Sequence, residues 1–155
     1  MNETCRLSSD FPTPDELSRI LSGIKVIALV GASPKPERPS HSVMAYLQEA
    51  GFRVIPVNPS QTEVRGEKCY PSLADIPAPV DTADIFLNPD RVPPVVDQAI
   101  AKGVRTVWMQ LGVVHEAAAG KARAAGLTVV MNRCLKIDHA AWTSRGTDRF
   151  RGKVA

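Results

Sequence analysis

The 155-residue chain predicts an α/β fold, a parallel sheet of about five strands with helices on both faces. Three observations carry the prediction. A helical pattern ending in Gly is followed within two residues by a short apolar strand at Gly51-Phe-Arg-Val-Ile, Gly103-Val-Arg-Thr-Val and Gly126-Leu-Thr-Val-Val. The stretch after Lys25, Val26 to Val30, is five apolar residues in a row, as expected of a strand buried on both faces. Strand and helix patterns then alternate along the chain, which implies right-handed βαβ units.

The elements follow in order. Thr13-Pro14-Asp15-Glu16 opens a helix with a capping box and Pro at its first position, and Leu17, Ile20 and Leu21 form its apolar face up to Gly23. The first strand, 25–30, runs into Gly31-Ala32-Ser33 and a Pro-rich loop. Ser40 is read as the N-cap of a helix whose face is Val43, Met44, Leu47 and Ala50. Strands follow at 53–57, 83–87, 105–110 and 128–131. Between them lie helices from Arg91 to Lys102 and from His115 to Ala125. Pro93 and Pro94 are acceptable only in the first turn of the former. The stretch from Ser60 to Val80 reads as an excursion with at most one short helix near Ser72 to Ile76. A short helix is expected from Leu135 to Trp142.

One domain, 13–142, is therefore expected, with an N-terminal extension, 1–12, and a basic C-terminal tail, 143–155, that is solvated and partly disordered. Arg145, Arg149, Arg151 and Lys153 against Asp148 place the whole net charge of +3 in that tail and leave the body neutral. With aromatics at only 5%, nothing indicates a nucleic-acid-binding face. No apolar run nears the roughly 20 residues of a membrane span, and no signal core precedes Asp10. Cys5, Cys69 and Cys134 are odd in number and far apart, which suits free thiols in a cytoplasmic setting and offers no metal-ligand spacing.

Ligands of such sheets bind beyond the carboxyl ends of the strands, where strand order reverses. That rule selects Gly31, Ala32 and Ser33; Asn58 and Pro59; Asn88 and Pro89; Gln110, Leu111 and Gly112; and Asn132, Arg133 and Cys134. The first loop has one Gly where a dinucleotide fingerprint has three, and Val57-Asn58-Pro59 lacks the acidic residue that holds a nicotinamide dinucleotide's ribose. No Walker sequence is present. A phosphate is instead offered the start of the following helix, with Ser33, Lys35, Arg38 and Ser40 around it.

Gly31-Ala-Ser with Arg38-Pro-Ser40, Ile55-Pro-Val-Asn-Pro59, Gly66-Glu-Lys-Cys-Tyr-Pro71, Val107-Trp-Met-Gln-Leu-Gly112 and Arg133-Cys-Leu-Lys-Ile-Asp-His139 resemble, as an ordered set over residues 13–142, the small stand-alone CoA-binding proteins. These are similar to the CoA-binding domain of the succinyl-CoA synthetase α subunit and of ADP-forming acyl-CoA synthetases. The resemblance implies a Rossmann-like domain that binds coenzyme A or an acyl-CoA across the strand tips. It implies Gly31, Ala32 and Ser33 along the pyrophosphate, Arg38 and Ser40 supporting phosphate, and Asn58 and Pro59 at the adenosine end. Asn88, Pro89, Gln110, Leu111 and Gly112 would flank the pantetheine. At Phe86-Leu87-Asn88-Pro89 the chain lacks the basic residues that many members of the family carry before the proline.

No catalytic apparatus is expected. Of the three histidines, His41 and His115 read as exposed residues near helix starts. His139 raises the idea of a Cys134–His139 pair, and Arg133 and Lys136 that of a thiolate at Cys134 able to form a mixed disulfide with the CoA thiol. Gly31→Val is expected to lose CoA yet stay folded. The expected partner is a small-molecule ligand, together with a homo-oligomer or a separate ligase chain. An NAD(P)-dependent oxidoreductase and an interaction protein that has lost its ligand are the competing readings.

Overall fold

A computed structural model describes residues 12 to 154, with side chains described to residue 144. The expected extension before residue 12, with Cys5, and the charged side chains of the tail lie outside the described residues. Helix α1 (Pro14–Ser22) leads to β1 (Val26–Val30), α2 (Pro39–Glu49) and β2 (Arg53–Val57). A small hairpin, β3 (Glu63–Val64) and β4 (Glu67–Lys68), and a 3-10 turn (Leu73–Asp75) precede β5 (Thr82–Ile85). A second 3-10 turn (Pro89–Arg91), α3 (Val92–Lys102), β6 (Thr106–Met109), α4 (Glu116–Ala124), β7 (Thr128–Val130) and α5 (Leu135–Val154) complete the chain.

The five main strands form one parallel sheet in the order β2-β1-β5-β6-β7. The chain moves outward from β1 to β2, then returns to the other side of β1 with β5. The order reverses between β1 and β5, and their carboxyl ends flank the switch point. Alternation along the strands sends Ala28, Val30, Ala83, Ile85, Val107 and Met109 to one face, against Val92, Val95, Val96 and Ala99 of α3 and the alanines of α4. Ile27, Leu29, Val54, Trp108 and Val130 pack on the other face against Leu21 of α1, Val43, Met44 and Leu47 of α2, and Leu135 of α5. Both faces are thus covered, as the uninterrupted apolar run of β1 requires.

The capping box of α1 is formed: the Glu16 N–H donates to Thr13 Oγ1 at 3.1 Å, and the Thr13 N–H to Glu16 Oε1 at 3.2 Å. Gly51, Gly103 and Gly126 all take positive φ, which lets each helix fold straight back into the sheet. Three expectations are corrected. The N-cap of α2 is Arg38, because Pro39 takes the first helical position and moves Ser40 inside the first turn. The excursion after β2 contains a hairpin whose two turn residues, Arg65 (φ 48) and Gly66 (φ 79), make a tight left-handed turn. The Arg65 Nε donates to Gln48 Oε1 at 2.8 Å while Gln48 Nε2 donates to the Arg65 carbonyl at 3.3 Å, a reciprocal pair that holds the turn against α2. The last helix does not stop near Trp142 but runs to Val154. Residues 143–154 contain no proline, and their two glycines lower helix propensity without forbidding the helix.

Candidate functional site

A cleft of about 1260 Å3 opens over the carboxyl ends of the strands. A smaller one, about 290 Å3, lies at the opposite end of the sheet beside Arg19, Asp81 and Arg105. The larger cleft stands at the switch point, and the starts of α2, α3 and α5 all reach its wall through Ser40, Pro94 and Lys136. Four cations line it (Lys35, Arg38, Arg91 and Lys136) against one carboxylate, Asp90. Positive helix ends and cations on one cleft favour an anionic ligand.

The structure brings Gly31, Ala32, Ser33, Arg38, Ser40, Asn58, Pro59, Asn88, Gln110, Leu111 and Cys134 to this one cleft. Pro89 and Gly112 are not in its wall. Pro89 starts the 3-10 turn that leads to Arg91, and the Gly112 N–H is used by Asn132 Oδ1, to which it donates at 2.7 Å. Asn132 itself adopts the left-handed conformation, φ 59.

Gly31 has φ 91, and a Cβ there would strike the backbone carbonyl of Phe86 at the tip of the adjacent strand. The constraint on this position is therefore built into the fold, before any ligand is considered, and the expectation that Gly31→Val stays folded is revised. The N–H groups of Gly31 and Ala32 both donate to the Val57 carbonyl, at 2.9 and 3.2 Å, so neither is free for a phosphate. Asn58 works as a bracket: its Nδ2 donates to the Ala32 carbonyl at 2.7 Å and its Oδ1 accepts the Ser60 N–H at 2.8 Å. Ser33 Oγ accepts the Lys35 N–H at 3.1 Å and shapes the loop that follows.

Ser40 is the exception in this network. It is only 4% exposed, lines the cleft, and its hydroxyl has no hydrogen-bond partner among the described residues. It stands in the first turn of an eleven-residue helix, where backbone N–H groups are intrinsically unpaired. Its hydroxyl is therefore left to the cleft, where it can donate to a ligand oxygen.

Arg91 was not singled out from the sequence. It ends the 3-10 turn after β5, its N–H donating to the Asn88 carbonyl at 2.9 Å, and it lines the cleft. It supplies a charge near the third strand tip that Phe86-Leu87-Asn88-Pro89 lacks. The available signal was a cation one residue before an apolar helical face, at a strand tip already selected.

The far end of the cleft is set by the loop after β7. Arg133 donates from Nε and Nη2 to the two oxygens of Asp138, at 2.7 and 3.0 Å, and its carbonyl accepts Trp108 Nε1–H at 2.8 Å. The hydrogen-bonded carboxylate raises the Arg133 pKa above its ordinary value. Arg133 is thus committed to Asp138 rather than to Cys134. His139, 7% exposed, sits among the rings of Tyr46, Phe52 and Trp142, with its Nδ1 2.8 Å from the Tyr46 hydroxyl. Burial lowers its pKa and favours the neutral imidazole. Among the described residues no hydrogen bond joins it to Cys134, so the Cys–His pair is not formed. His115 is half-buried rather than exposed, and its Nδ1 accepts the Ala118 N–H at 3.0 Å as the cap of α4. His41 is likewise half-buried. Among the described residues no helix is long and apolar enough to cross a membrane.

The family model described as "CoA binding domain" matches residues 25–140, a span that contains the whole cleft. The chain is 37% identical over 129 residues to the uncharacterised protein YneT of Bacillus subtilis, covering 83% of this chain and 96% of that one. Its fold matches the structure of a hypothetical protein from Pyrococcus horikoshii with a TM-score of 0.83 at 46% identity, over 84% of this chain and 92% of the other. It is also 36% identical over 98 residues to an ADP-forming acetate–CoA ligase of Archaeoglobus fulgidus. That match takes in 62% of this chain but only 14% of the ligase.

Proposed function

Because the chain belongs to the CoA-binding domain family, we propose that it binds coenzyme A or an acyl-CoA in the cleft at the carboxyl ends of its strands, without a catalytic apparatus of its own. The observation that carries this reading is Ser40, a nearly buried residue in the first turn of α2 whose hydroxyl makes no hydrogen bond among the described residues, with Arg38 and Lys35 lining the same cleft. These groups would meet phosphate oxygens. The pyrophosphate would lie against Gly31, Ala32 and Ser33, with the N–H groups of Gly31 and Ala32 serving the fold. Asn58 and Pro59 would border the adenosine, and Asn88, Arg91, Gln110 and Leu111 the path of the pantetheine toward Cys134. Pro89 and Gly112 would act from behind the wall, by setting the loops.

Binding without turnover is supported by the state of the reactive groups. His139 is held by Tyr46 and Arg133 by Asp138, which leaves Cys134 without an evident base. The matched stretch is about one seventh of the ligase relative, and a separate ligase chain is the protein partner that this relationship suggests. The free thiols of Cys69 and Cys134 fit a reducing cytoplasm.

Thermal denaturation with CoA, NAD, NADP and ATP tests the reading. At 100 times its dissociation constant a ligand adds about 2.7 kcal/mol, which for a domain of this size raises Tm by about 8 °C. CoA is expected to give that shift and NAD none. A shift with NAD and none with millimolar CoA overturns the proposal. Mass spectrometry of natively purified protein provides a second readout, as co-purified CoA.

A further inference from the structure

The two ends of the cleft differ in chemistry. One, from α2 and the loop before it, holds Ser40, Arg38 and Lys35; the other, from the segments after β6 and β7, holds Cys134 and Lys136 and, at its lip, Leu111 and Ile137. Leu111 is 65% exposed and Ile137 61%, the two most open large aliphatic side chains among the described residues. They are far apart in sequence and line one cleft because they follow β6 and β7, which are neighbours in the sheet. Two side chains fasten the segments that carry them: Gln110 Oε1 accepts the Leu135 N–H at 3.4 Å, and Asn132 Oδ1 accepts the Gly112 N–H at 2.7 Å. The lip is therefore a fixed part of the cleft wall.

Gln110 is 4% exposed and lines the same end. Its oxygen is used by Leu135, while its amide nitrogen has no partner among the described residues. An N–H donor open to the cleft, in the same wall as a thiol and an apolar lip, suits a carbonyl that is followed by a hydrocarbon chain. The cleft volume, about 1260 Å3, also exceeds the roughly 300–1,000 Å3 usual for a small-ligand pocket.

Resting on the CoA reading above, we propose that the preferred ligand is a thioester with a saturated acyl chain of medium length. Gln110 Nε2 donates to the thioester carbonyl, and the chain runs out across Leu111 and Ile137. Each methylene laid on the lip is covered on one side only. It is therefore expected to tighten binding about twofold, half the free energy of full burial.

The test is a titration of the full chain with CoA and its acetyl, butyryl, hexanoyl and octanoyl thioesters. Affinity is expected to rise along the series, by about 16-fold from butyryl to octanoyl. In Ile137→Asp, an exposed position where the fold tolerates charge, the octanoyl-to-butyryl ratio is expected to fall close to one, whatever happens to CoA itself. A flat series in the wild type, with CoA still bound, overturns the acyl proposal and leaves the CoA reading intact. A steep series unaltered by Ile137→Asp shows that the chain lies elsewhere and also overturns it. Loss of a wild-type dimer in Ile137→Asp, alongside a flat series, assigns the lip to a second copy instead. If neither CoA nor any thioester binds, the CoA reading itself fails.

Discussion

Gly31 shows how one missing Cβ governs this site. Its positive φ alone would cost an alanine roughly 1–2 kcal/mol. Gly51 has a similar φ, 98, but nothing within 4 Å of the added carbon, whereas at Gly31 the carbon meets the Phe86 carbonyl. Gly31→Ala is therefore expected to lower Tm distinctly more than Gly51→Ala, and thermal denaturation of the pair isolates the collision from the dihedral cost. Equal losses would show that the Phe86 tip yields freely. The importance of Gly31 was legible in the sequence, but its reason was not, because Phe86 reaches it across the sheet from 55 residues away in the chain. Ser40 was legible as a helix-start hydroxyl and misplaced by two positions, since Pro39 outcompetes it for the boundary. Cys134 was legible as a cleft residue, yet two of the neighbours credited with activating it, Arg133 and His139, are bound elsewhere, and Lys136 alone of them lines the cleft with it. With CoA disulfide as the co-reactant, a Cys134 thiolate attacking one sulfur would form the protein–CoA disulfide and release one CoA thiolate. Intact-mass measurement without reductant is expected to show a CoA adduct lost in Cys134→Ser and kept in Cys69→Ser, because Cys69 is buried and its thiol pKa is raised by that burial. An adduct that survives Cys134→Ser removes this thiol from the ligand's path.

At the level of elements, the helix–Gly–strand rhythm made the sheet readable, because left-handed Gly caps and buried apolar strands leave strong local signatures. The β3–β4 hairpin left a weak one. Its strands are two residues long and largely exposed, and its turn places Arg65 in a conformation that arginine seldom adopts. The hairpin is held by Gln48 of α2, a tertiary contact invisible to local pattern. The convergence of three helix starts on one cleft was implied by the topology, but the cation it adds at Arg91 leaves no local signature, since a charge one residue before a helix is ordinary on a protein surface. Among the described residues no hydrogen bond or ion pair engages the Arg91 guanidinium, which lines the cleft and is available to an anion. Arg91→Gln is expected to weaken CoA binding about tenfold, near the low end for a hydrogen bond to a charged group because the position is exposed. The salt dependence of binding should become shallower as well. Calorimetric titration at two ionic strengths measures both, and an unchanged affinity would remove Arg91 from the site.

For the molecule as a whole, the feature that ties stability to pH is a carboxyl in the middle of the sheet. Asp84 lies on the central strand β5, between Leu29 of β1 and Trp108 of β6, with no exposed surface and no hydrogen bond to either oxygen. Desolvation raises its pKa well above the ordinary carboxylate range. The folded chain therefore holds Asp84 as the neutral acid under conditions where the unfolded chain ionises it. The sign of the linkage follows. Below the unfolded pKa both states bind the proton and the native fold bears no ionisation penalty. As pH rises above that value toward the folded pKa, the unfolded state releases its proton while the folded state does not. The Asp84 contribution then falls by up to about 1.4 kcal/mol per pH unit. Asp84→Asn keeps the shape and cannot ionise, so it is expected to be more stable than the wild type at pH 7 and to lack this downward slope. Urea denaturation from pH 5 to 8 checks it: the two curves should converge toward acid and diverge toward neutrality. Parallel curves would show that Asp84 ionises alike in both states, through a partner or solvent path that its burial in this sheet does not provide.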